Sequence, residues 1–134
     1  MFGLSTKGDY GLSFLQELFH SGNSLVSLQT VAKERSLPLK YIERLAAKLK
    51  TAGIIVSKEG ARGGYKLARD AKEISVLEVV EVLEGDLSLT PCTRHGADAC
   101  PRALECTMRG PWLNIYSEVT SLLKNKSLFD LFNN

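Results

Sequence analysis

Residues 27–67 read SLQTVAKERSLPLKYIERLAAKLKTAGIIVSKEGARGGYKL. The pattern along them changes from helix-forming segments to short β-prone runs around a glycine-rich turn. A short helix is predicted over 28–34, with Ser27 as its N-cap, and a tight turn leads to a longer helix that opens at Pro38 and ends near Thr51. Two short β-prone runs then flank a glycine-rich turn, which predicts a hairpin. Helix, turn, helix and glycine-tipped hairpin, in this order, predict a winged helix-turn-helix.

Amphipathic segments lie on both sides of this region. A helix is predicted to run to about His20 with Ser5 or Thr6 as its N-cap, and another over 76–83 with Ser75 as its cap; a long helix is predicted to open at Pro111. The apolar piece at 128–132 is expected to dock back on the domain. The expected fold class is mainly α with a small β-hairpin wing, a winged helix-turn-helix followed by a long C-terminal helix.

The long C-terminal helix carries apolar residues at spacings of three and four. The stripe consists of Trp112, Ile115, Tyr116, Val119, Leu122 and Leu123. An isolated helix of this kind would leave a large apolar face in water, so a homodimer built on residues 111–124 is expected. The alternative is that the face packs back on its own domain.

Charge is unevenly distributed along the 134 residues, whose formal net charge is +2. Residues 1–70 carry 11 Lys or Arg against 6 Asp or Glu, a net of +5, whereas residues 71–134 carry 6 against 9, a net of −3. A basic half on a nearly neutral chain indicates a nucleic-acid partner. The alternative is a solvated surface that happens to be basic.

Several functional classes are disfavoured by what the sequence lacks. No apolar run approaches the length of a membrane span, and the N-terminus lacks the features of a signal peptide, so a cytoplasmic location is expected. The chain shows no nucleophile–base pair, phosphate-binding loop or carboxylate constellation, so an enzyme is not expected. A pure protein-interaction module would leave the basic helix and the glycine-rich turn unexplained.

The candidate DNA contacts lie on the second helix of the motif and on the wing. They are Lys40, Tyr41, Glu43, Arg44, Lys48 and Lys50 on the helix, and Arg62 and Gly63 on the wing. A helix fits the major groove, and an arginine among glycines can approach a phosphate or a narrow minor groove. An acidic Glu43 could accept from the amino group of cytosine, or it could simply pair with Lys40 or Lys50 on the surface.

Three cysteines, Cys92, Cys100 and Cys106, fall within 15 residues, with the spacing Cys-x7-Cys-x5-Cys. An odd number of thiols in a cytosolic chain argues against a disulfide framework, and the paired knuckles of zinc sites are absent. Three thiolates can hold an iron–sulfur cluster if a fourth ligand is found elsewhere. The candidates for that ligand are His95, Asp98 and Asp9. The alternatives are three structural thiols, or a cluster-free regulator whose cysteines sense oxidants directly.

Four parts of the chain resemble the Rrf-type regulators, the family of IscR, NsrR, RirA and CymR. They are residues 4–12, the segment 37–45, the wing 60–67 and the three cysteines. The resemblance implies a homodimeric transcriptional regulator that binds double-stranded, palindromic operator DNA. It also implies control of genes for iron–sulfur assembly, iron, nitric-oxide or redox stress, or sulfur metabolism.

Within this family, the details resemble the NsrR- and RirA-like members most. IscR-like members have a shorter first cysteine spacing and a histidine where this chain has Arg109, whereas CymR-like members lack the cysteine triad. The resemblance therefore implies a [4Fe-4S] cluster rather than [2Fe-2S], with Asp9 of the partner subunit as its fourth ligand. On the residues alone, Asp9 could equally be a charge that the helix dipole favours at a helix N-terminus, and the next candidate ligands are His95 and then water or a small thiol.

The expected organisation has two regions. Residues 1–70 would form the DNA-binding domain, and residues 71–134 would hold the cluster-binding loop at about 86–108 and the dimerisation helix at about 109–126. A cluster that fixes the loop would set the separation of the two recognition helices, which must lie about 34 Å apart to reach successive major grooves.

Overall fold

The computed structural model describes residues 3–96 and 100–133, and its elements follow the predicted order. Their bounds are α1 Thr6–His20, α2 Leu28–Glu34, α3 Leu39–Thr51, β1 Ile55–Lys58, β2 Gly64–Leu67, a 3-10 turn Ala71–Glu73, α4 Val76–Glu84, α5 Pro91–His95, α6 Arg109–Asn125 and α7 Leu128–Phe132. The architecture is mainly helical with one two-stranded antiparallel hairpin, which confirms the expected fold class. Every helix in the described ranges is too short or too polar to cross a membrane.

Three helices begin at the serines that the sequence predicted as caps. The hydroxyl oxygens of Ser5, Ser27 and Ser75 each accept a hydrogen bond from a backbone N–H in the first turn of α1, α2 and α4, at 3.1–3.2 Å. These bonds satisfy N–H groups that have no helical partner, and each contributes about 1 kcal/mol to helix stability.

Two prolines lie at other positions in their helices than predicted. α3 begins at Leu39, so that Pro38 lies just before the helix rather than in its first turn. The dimerisation helix was expected over about 109–126, and α6 begins at Arg109, so that Pro111 is its third residue and does not open it. A proline in the first turn is tolerated because the N–H it lacks would have had no helical partner.

The connection between α4 and α6 was predicted to be irregular throughout residues 86–108, and this was wrong. Pro91–His95 forms a short helix within it. Five residues make little more than one turn, too few to show a helical period in the sequence.

One hydrophobic core joins the two halves of the chain. Its buried side chains include Phe14 and Leu15 of α1 and Ile42 and Leu49 of α3. From beyond residue 70 it takes Ala71, Ile74, Val79, Leu83, Leu128 and Phe132. Helix α7 therefore docks on the domain, as predicted. The proposed division at residue 70 is one of function and not of packing.

A third backbone segment holds the hairpin against the domain. β1 pairs with β2 in the register that places Lys58 opposite Gly64. On the other side of β2, Val26 and Tyr65 exchange backbone hydrogen bonds of 2.9 and 2.8 Å. A β-carbon on Gly64 would lie 2.7 Å from the backbone of Val26, so glycine is required for this close approach.

Helix α1 supports both elements of the motif that would face DNA. The ring of Tyr10 packs edge-on against Tyr41 of α3, with ring centres 5.5 Å apart. The ring of Phe14 packs in the same way on Tyr65 of β2, at 5.9 Å. The position of α1 therefore sets the positions of α3 and of the wing.

The end of α4 is fastened to the start of α1. The Oε1 atom of Glu84 accepts hydrogen bonds from the Ser5 backbone N–H at 2.7 Å and from the Ser5 hydroxyl at 2.8 Å. Glycines in α1 make room for this contact, because β-carbons on Gly8 and Gly11 would overlap Glu84 and Leu83.

Candidate DNA-reading face and cysteine segment

Four charged side chains share one exposed face of α3. Lys40, Glu43, Arg44 and Lys48 are separated by three, one and four positions, which places them on the same side of the helix. All four are exposed, and none joins an ion pair within the described part of the chain. This face, which we call the α3 face, presents free charged groups suited to phosphates and base edges.

Two of the predicted contacts on α3 have distinct surroundings. Glu43 forms no ion pair with Lys40 or Lys50 among the described residues, so the alternative of a surface pair finds no support there. Tyr41 is half-buried, and its ring packs on Tyr10. Its assignment as a DNA contact remains a prediction, alongside a clear role in positioning α3.

The wing turn places Arg62 at its exposed tip. The backbone N–H of Gly63 donates to the carbonyl of Gly60 at 3.0 Å, which closes the turn. A β-carbon on Gly63 would lie 2.0 Å from the carbonyl oxygen of Lys58. Gly63 is therefore required by the turn itself, and its predicted contact with DNA remains untested.

Sequence reasoning missed a clamp that holds the helix-turn-helix to α1. Nε of Arg35, at the end of α2, donates to Oε1 of Glu17 at 2.6 Å, and its Nη2 donates to Oε1 of Gln16 at 3.2 Å. Both charged side chains are half-buried, with exposed fractions of 32% and 24%. The partners are 18 positions apart, and opposite charge alone does not identify such a pair.

The turn between α2 and α3 contains a residue with unusual backbone geometry. Ser36 has φ of +55°, and it is the one non-glycine residue with positive φ among those described. The next N–H, of Leu37, donates to the carbonyl of Ala32 at 2.8 Å and so closes the end of α2. Left-handed geometry costs a residue with a β-carbon about 1 kcal/mol.

The three cysteines lie on the segment between α4 and α6, and all are free. Cys92 is in α5 and is half-buried, with its Sγ atom 3.0 Å from the hydroxyl oxygen of Thr90. Cys100 is half-buried, and Cys106 is exposed. The segment thus presents three reduced thiols at different depths.

The described residues do not form a ready-made metal site. Among them, no three Cys, His, Asp or Glu side chains are grouped closely enough to hold a metal ion. Asp9 is exposed in the first turn of α1 and does not join the cysteines of its own chain. Asp98 and the side chain of His95 lie outside the described part. The thiols suit an iron–sulfur cluster in their chemistry, but the described residues of one chain do not by themselves bring the ligands together.

Arg109 stands three residues after Cys106, at the first position of α6. The resemblance places a histidine ligand here in IscR-like proteins. A guanidinium has no electron pair to offer a metal, so Arg109 cannot take over that role. Its Nε atom is buried and has no hydrogen-bond partner among the described residues.

The predicted apolar stripe of α6 is only partly covered: three of its six residues are exposed and the other three are half-buried. No residue of α6 is buried in the described structure. Leu122 is 62% exposed and Ile115 43% exposed, with Met108 and Val119 also exposed. The alternative in which this face packs wholly against its own domain is therefore not what the structure shows.

Comparison with known proteins supports the class that the sequence motifs predicted, a transcriptional regulator. The family model Rrf2, described as an iron-dependent transcriptional regulator, matches residues 4–134. The chain is 38% identical over 136 residues to the HTH-type transcriptional regulator IscR of Cereibacter sphaeroides, a match covering 98% of this chain and 87% of that protein.

Solved structures show the same fold over nearly the whole chain. CymR, the global cysteine regulator of B. subtilis, superposes with a TM-score of 0.78 at 32% identity and covers 99% of this chain and 98% of its own. IscR of T. potens superposes with a TM-score of 0.75 at 31% identity and covers 98% and 87%. These matches do not distinguish an NsrR- or RirA-like member from the others. The chain belongs to the Rrf2 family of winged helix-turn-helix transcriptional regulators.

Proposed function

We propose that this regulator binds a palindromic operator as a homodimer and that its cysteine segment adjusts the binding. The α3 face carries the proposal: three cations and one anion lie on a single exposed side of the helix and form no ion pair with any residue that the structure describes. Arg62 on the wing supplies a further cation for the DNA backbone or minor groove. The exposed stripe of α6 supports dimerisation, because it leaves apolar surface for a second copy to cover.

We propose that the regulator senses its signal through an iron–sulfur cluster whose ligands are Cys92, Cys100 and Cys106. Three free thiols on one surface segment support this, as does the description of the matching family as iron-dependent. We favour [4Fe-4S] over [2Fe-2S], with Asp9 of the partner subunit as the remaining ligand. Asp9 is exposed, as a ligand reaching a second chain must be.

A second candidate is a cluster-free thiol regulator of the same fold. Two observations favour it: the thiols are ungrouped among the described residues, and the chain is similar to CymR of Staphylococcus aureus, which has been solved in an oxidized form. In this case reversible oxidation of the thiols would change DNA binding.

DNA binding is tested by selecting duplexes from a random pool and measuring their affinity by fluorescence anisotropy. A variant with Lys40, Arg44 and Lys48 changed to Ala should lose about a hundredfold or more in affinity and lower the salt slope. The matched control changes Lys124 and Lys126, basic and exposed at the end of α6, to Ala, and it should bind normally. Equal loss in both variants would show that net charge, and not the α3 face, drives binding.

The two candidate signals are separated by anaerobic purification with iron and sulfide analysis. Stoichiometric iron and sulfide with visible absorption, lost in Cys100→Ala, is the outcome that the cluster predicts. A colourless protein without iron, whose DNA affinity changes on treatment with an oxidant, would favour the thiol regulator.

A further inference from the structure

Residues 86–94 form a turn that is closed by its own hydrogen bonds. Oδ1 of Asp86 accepts from the Ser88 backbone N–H at 2.8 Å, and Oδ2 accepts from Nε of Arg94 at 3.0 Å. The same Nε lies 2.9 Å from the hydroxyl of Ser88. The ends of the turn are thus tied together beside Cys92, and we call residues 86–94 the Cys92 turn.

The charge on Asp86 is maintained by these contacts. The Ser88 backbone N–H is the largest influence and lowers the pKa of Asp86; partial desolvation opposes it, and the Ser88 hydroxyl and the Arg94 guanidinium lower the pKa further, so that the net shift is downward. The carboxylate therefore stays ionised and available as an acceptor at all but strongly acidic pH.

A second set of bonds, inside the turn, involves two threonines. The Thr93 hydroxyl lies 2.8 Å from the carbonyl oxygen of Thr90, which can only accept, so this hydroxyl donates its single proton there. Its oxygen is then free to accept from the Thr90 backbone N–H, at 3.0 Å. Thr93 thereby fixes the backbone of Thr90.

The Thr90 hydroxyl in turn contacts the sulfur of Cys92. The two atoms are 3.0 Å apart, and the hydroxyl lies farther, at 3.3 Å, from the Thr93 oxygen. When the sulfur is ionised it can only accept, so the Thr90 hydroxyl must donate to it. Cys92 is thus held by a hydroxyl whose own position is fixed, whereas Cys106 is exposed and has no such bond among the described residues.

We propose that the Cys92 turn is a preformed holder for the first cysteine and that Thr90 is its positioning residue. The three thiols are then unequal before any ligand arrives: Cys92 is oriented and shielded, and Cys106 is free to react. This inference rests on the proposed function in one respect: the proposed function explains why the orientation of Cys92 would matter. The holder itself follows from the contacts of the turn.

The proposed role of Thr90 is tested with variants that differ from the parent by one hydroxyl or methyl group. Thr90→Val replaces the hydroxyl by a methyl group of nearly the same size, and Thr90→Ser keeps the hydroxyl. Thr107→Val is the matched control, because Thr107 is exposed beside Cys106 and its hydroxyl makes no hydrogen bond in the described structure. Circular dichroism establishes that each variant keeps its helices.

Reduced, metal-free protein is labelled with iodoacetamide over a range of pH up to the plateau of each rate, so that the plateau rates report shielding and hydrogen bonding and not the fraction of thiolate. Peptide mass spectrometry then gives the rate at each cysteine. In the parent, Cys92 should react more slowly than Cys106. In Thr90→Val the rate at Cys92 should rise about three- to tenfold, as expected for one lost hydrogen bond to a charged sulfur, with Cys106 unchanged. Thr90→Ser and Thr107→Val should match the parent.

Two results would overturn the proposal. One is an equal Cys92 rate in Thr90→Val and Thr90→Ser. The other is an equal rise at Cys92 and Cys106 in Thr90→Val, which would indicate general loosening of the segment and not release of one thiol.

A Co²⁺ titration of the same variants keeps this inference apart from the proposed function. Weaker Co²⁺ binding in Thr90→Val than in Thr90→Ser would show that the orientation of Cys92 serves metal binding. A parent protein that binds no Co²⁺ would contradict the proposed metal role, while the labelling rates would still decide the role of Thr90.

Discussion

The half of the chain that we propose to bind DNA and the half that we propose to sense a signal differ in how far a single copy completes them. The recognition helix and wing are built entirely from one chain, with α3 and β2 resting on Tyr10 and Phe14 of α1. In the other half the α6 stripe is only partly covered, and the cysteines are ungrouped among the described residues. The difference supports the proposal that each chain binds one half-site of DNA by itself, whereas the proposed sensory function needs a second chain or a bound group.

The largest effect is expected at the α6 stripe. Val119→Glu places a charge on the exposed apolar face, so we expect a monomer that has lost about a hundredfold or more in operator affinity, since each half-site then binds alone. Sedimentation velocity and anisotropy measure the two effects. Ser121→Glu, an exposed residue outside the stripe, is the control. A Val119→Glu dimer with full affinity would place the dimer contact elsewhere.

The wing provides the next effect. Arg62→Ala should weaken operator binding about tenfold and reduce the salt slope by about one counterion, because one phosphate or minor-groove contact is lost. Affinity measured at several salt concentrations gives both quantities. Lys126→Ala removes an equal charge far along the chain and should leave the slope unchanged. An unchanged slope in Arg62→Ala would remove the wing from the interface.

A smaller effect is expected at the turn of the helix-turn-helix. Ser36→Gly relieves left-handed strain but adds freedom to the unfolded chain, so we expect stabilisation of no more than about 1 kcal/mol. Ser36→Val, with a branched β-carbon at the same φ, should destabilise the protein. Thermal unfolding compares the two. A more stable Ser36→Val would contradict the left-handed geometry of this turn.

The smallest effect that we expect is a loss of α7 stability at acidic pH. The backbone N–H and hydroxyl of Ser127 lower the pKa of Asp130 at the start of α7. A lowered pKa contributes stability that is complete above the usual value of about 3.9 and is lost as pH falls through the lowered one. The protection of the α7 amides, measured as hydrogen exchange relative to the intrinsic rate at each pH, should therefore fall only below about pH 4. Asp130→Asn should abolish this acid dependence, and a loss of protection that persists in that variant would assign it to another group.

The same contrast explains what the sequence could predict. Helix caps, glycine stops and the order of the elements are local, so Ser5, Ser27 and Ser75 identified their helices directly. The charged α3 face was also predictable, because helical spacing alone places its members together. The family, too, could be predicted from separate motifs appearing in order.

Contacts between distant positions could not be predicted in this way. The bond between Ser5 and Glu84 spans 79 positions, and the clamp of Arg35 on Glu17 spans 18. Neither has a periodic signal. Helix α5 was missed for the opposite reason, since its five residues are too few to show a period. The cysteine spacing indicated a shared chemistry but not the relative positions of the thiols in a single chain.

The central proposal is that the chemistry of the three cysteines between α4 and α6 controls the affinity with which α3 and the wing bind DNA. The most direct test measures operator affinity by anisotropy, anaerobically, for the parent as purified, for the parent stripped of metal, and for a variant with all three cysteines changed to Ala. The iron and sulfide content of each is measured in parallel. We predict iron and sulfide in the parent alone, and an affinity that differs about tenfold or more from that of the other two, which should agree with each other. Equal affinity in all three, with no iron in the parent and no response to oxidant, would contradict the account.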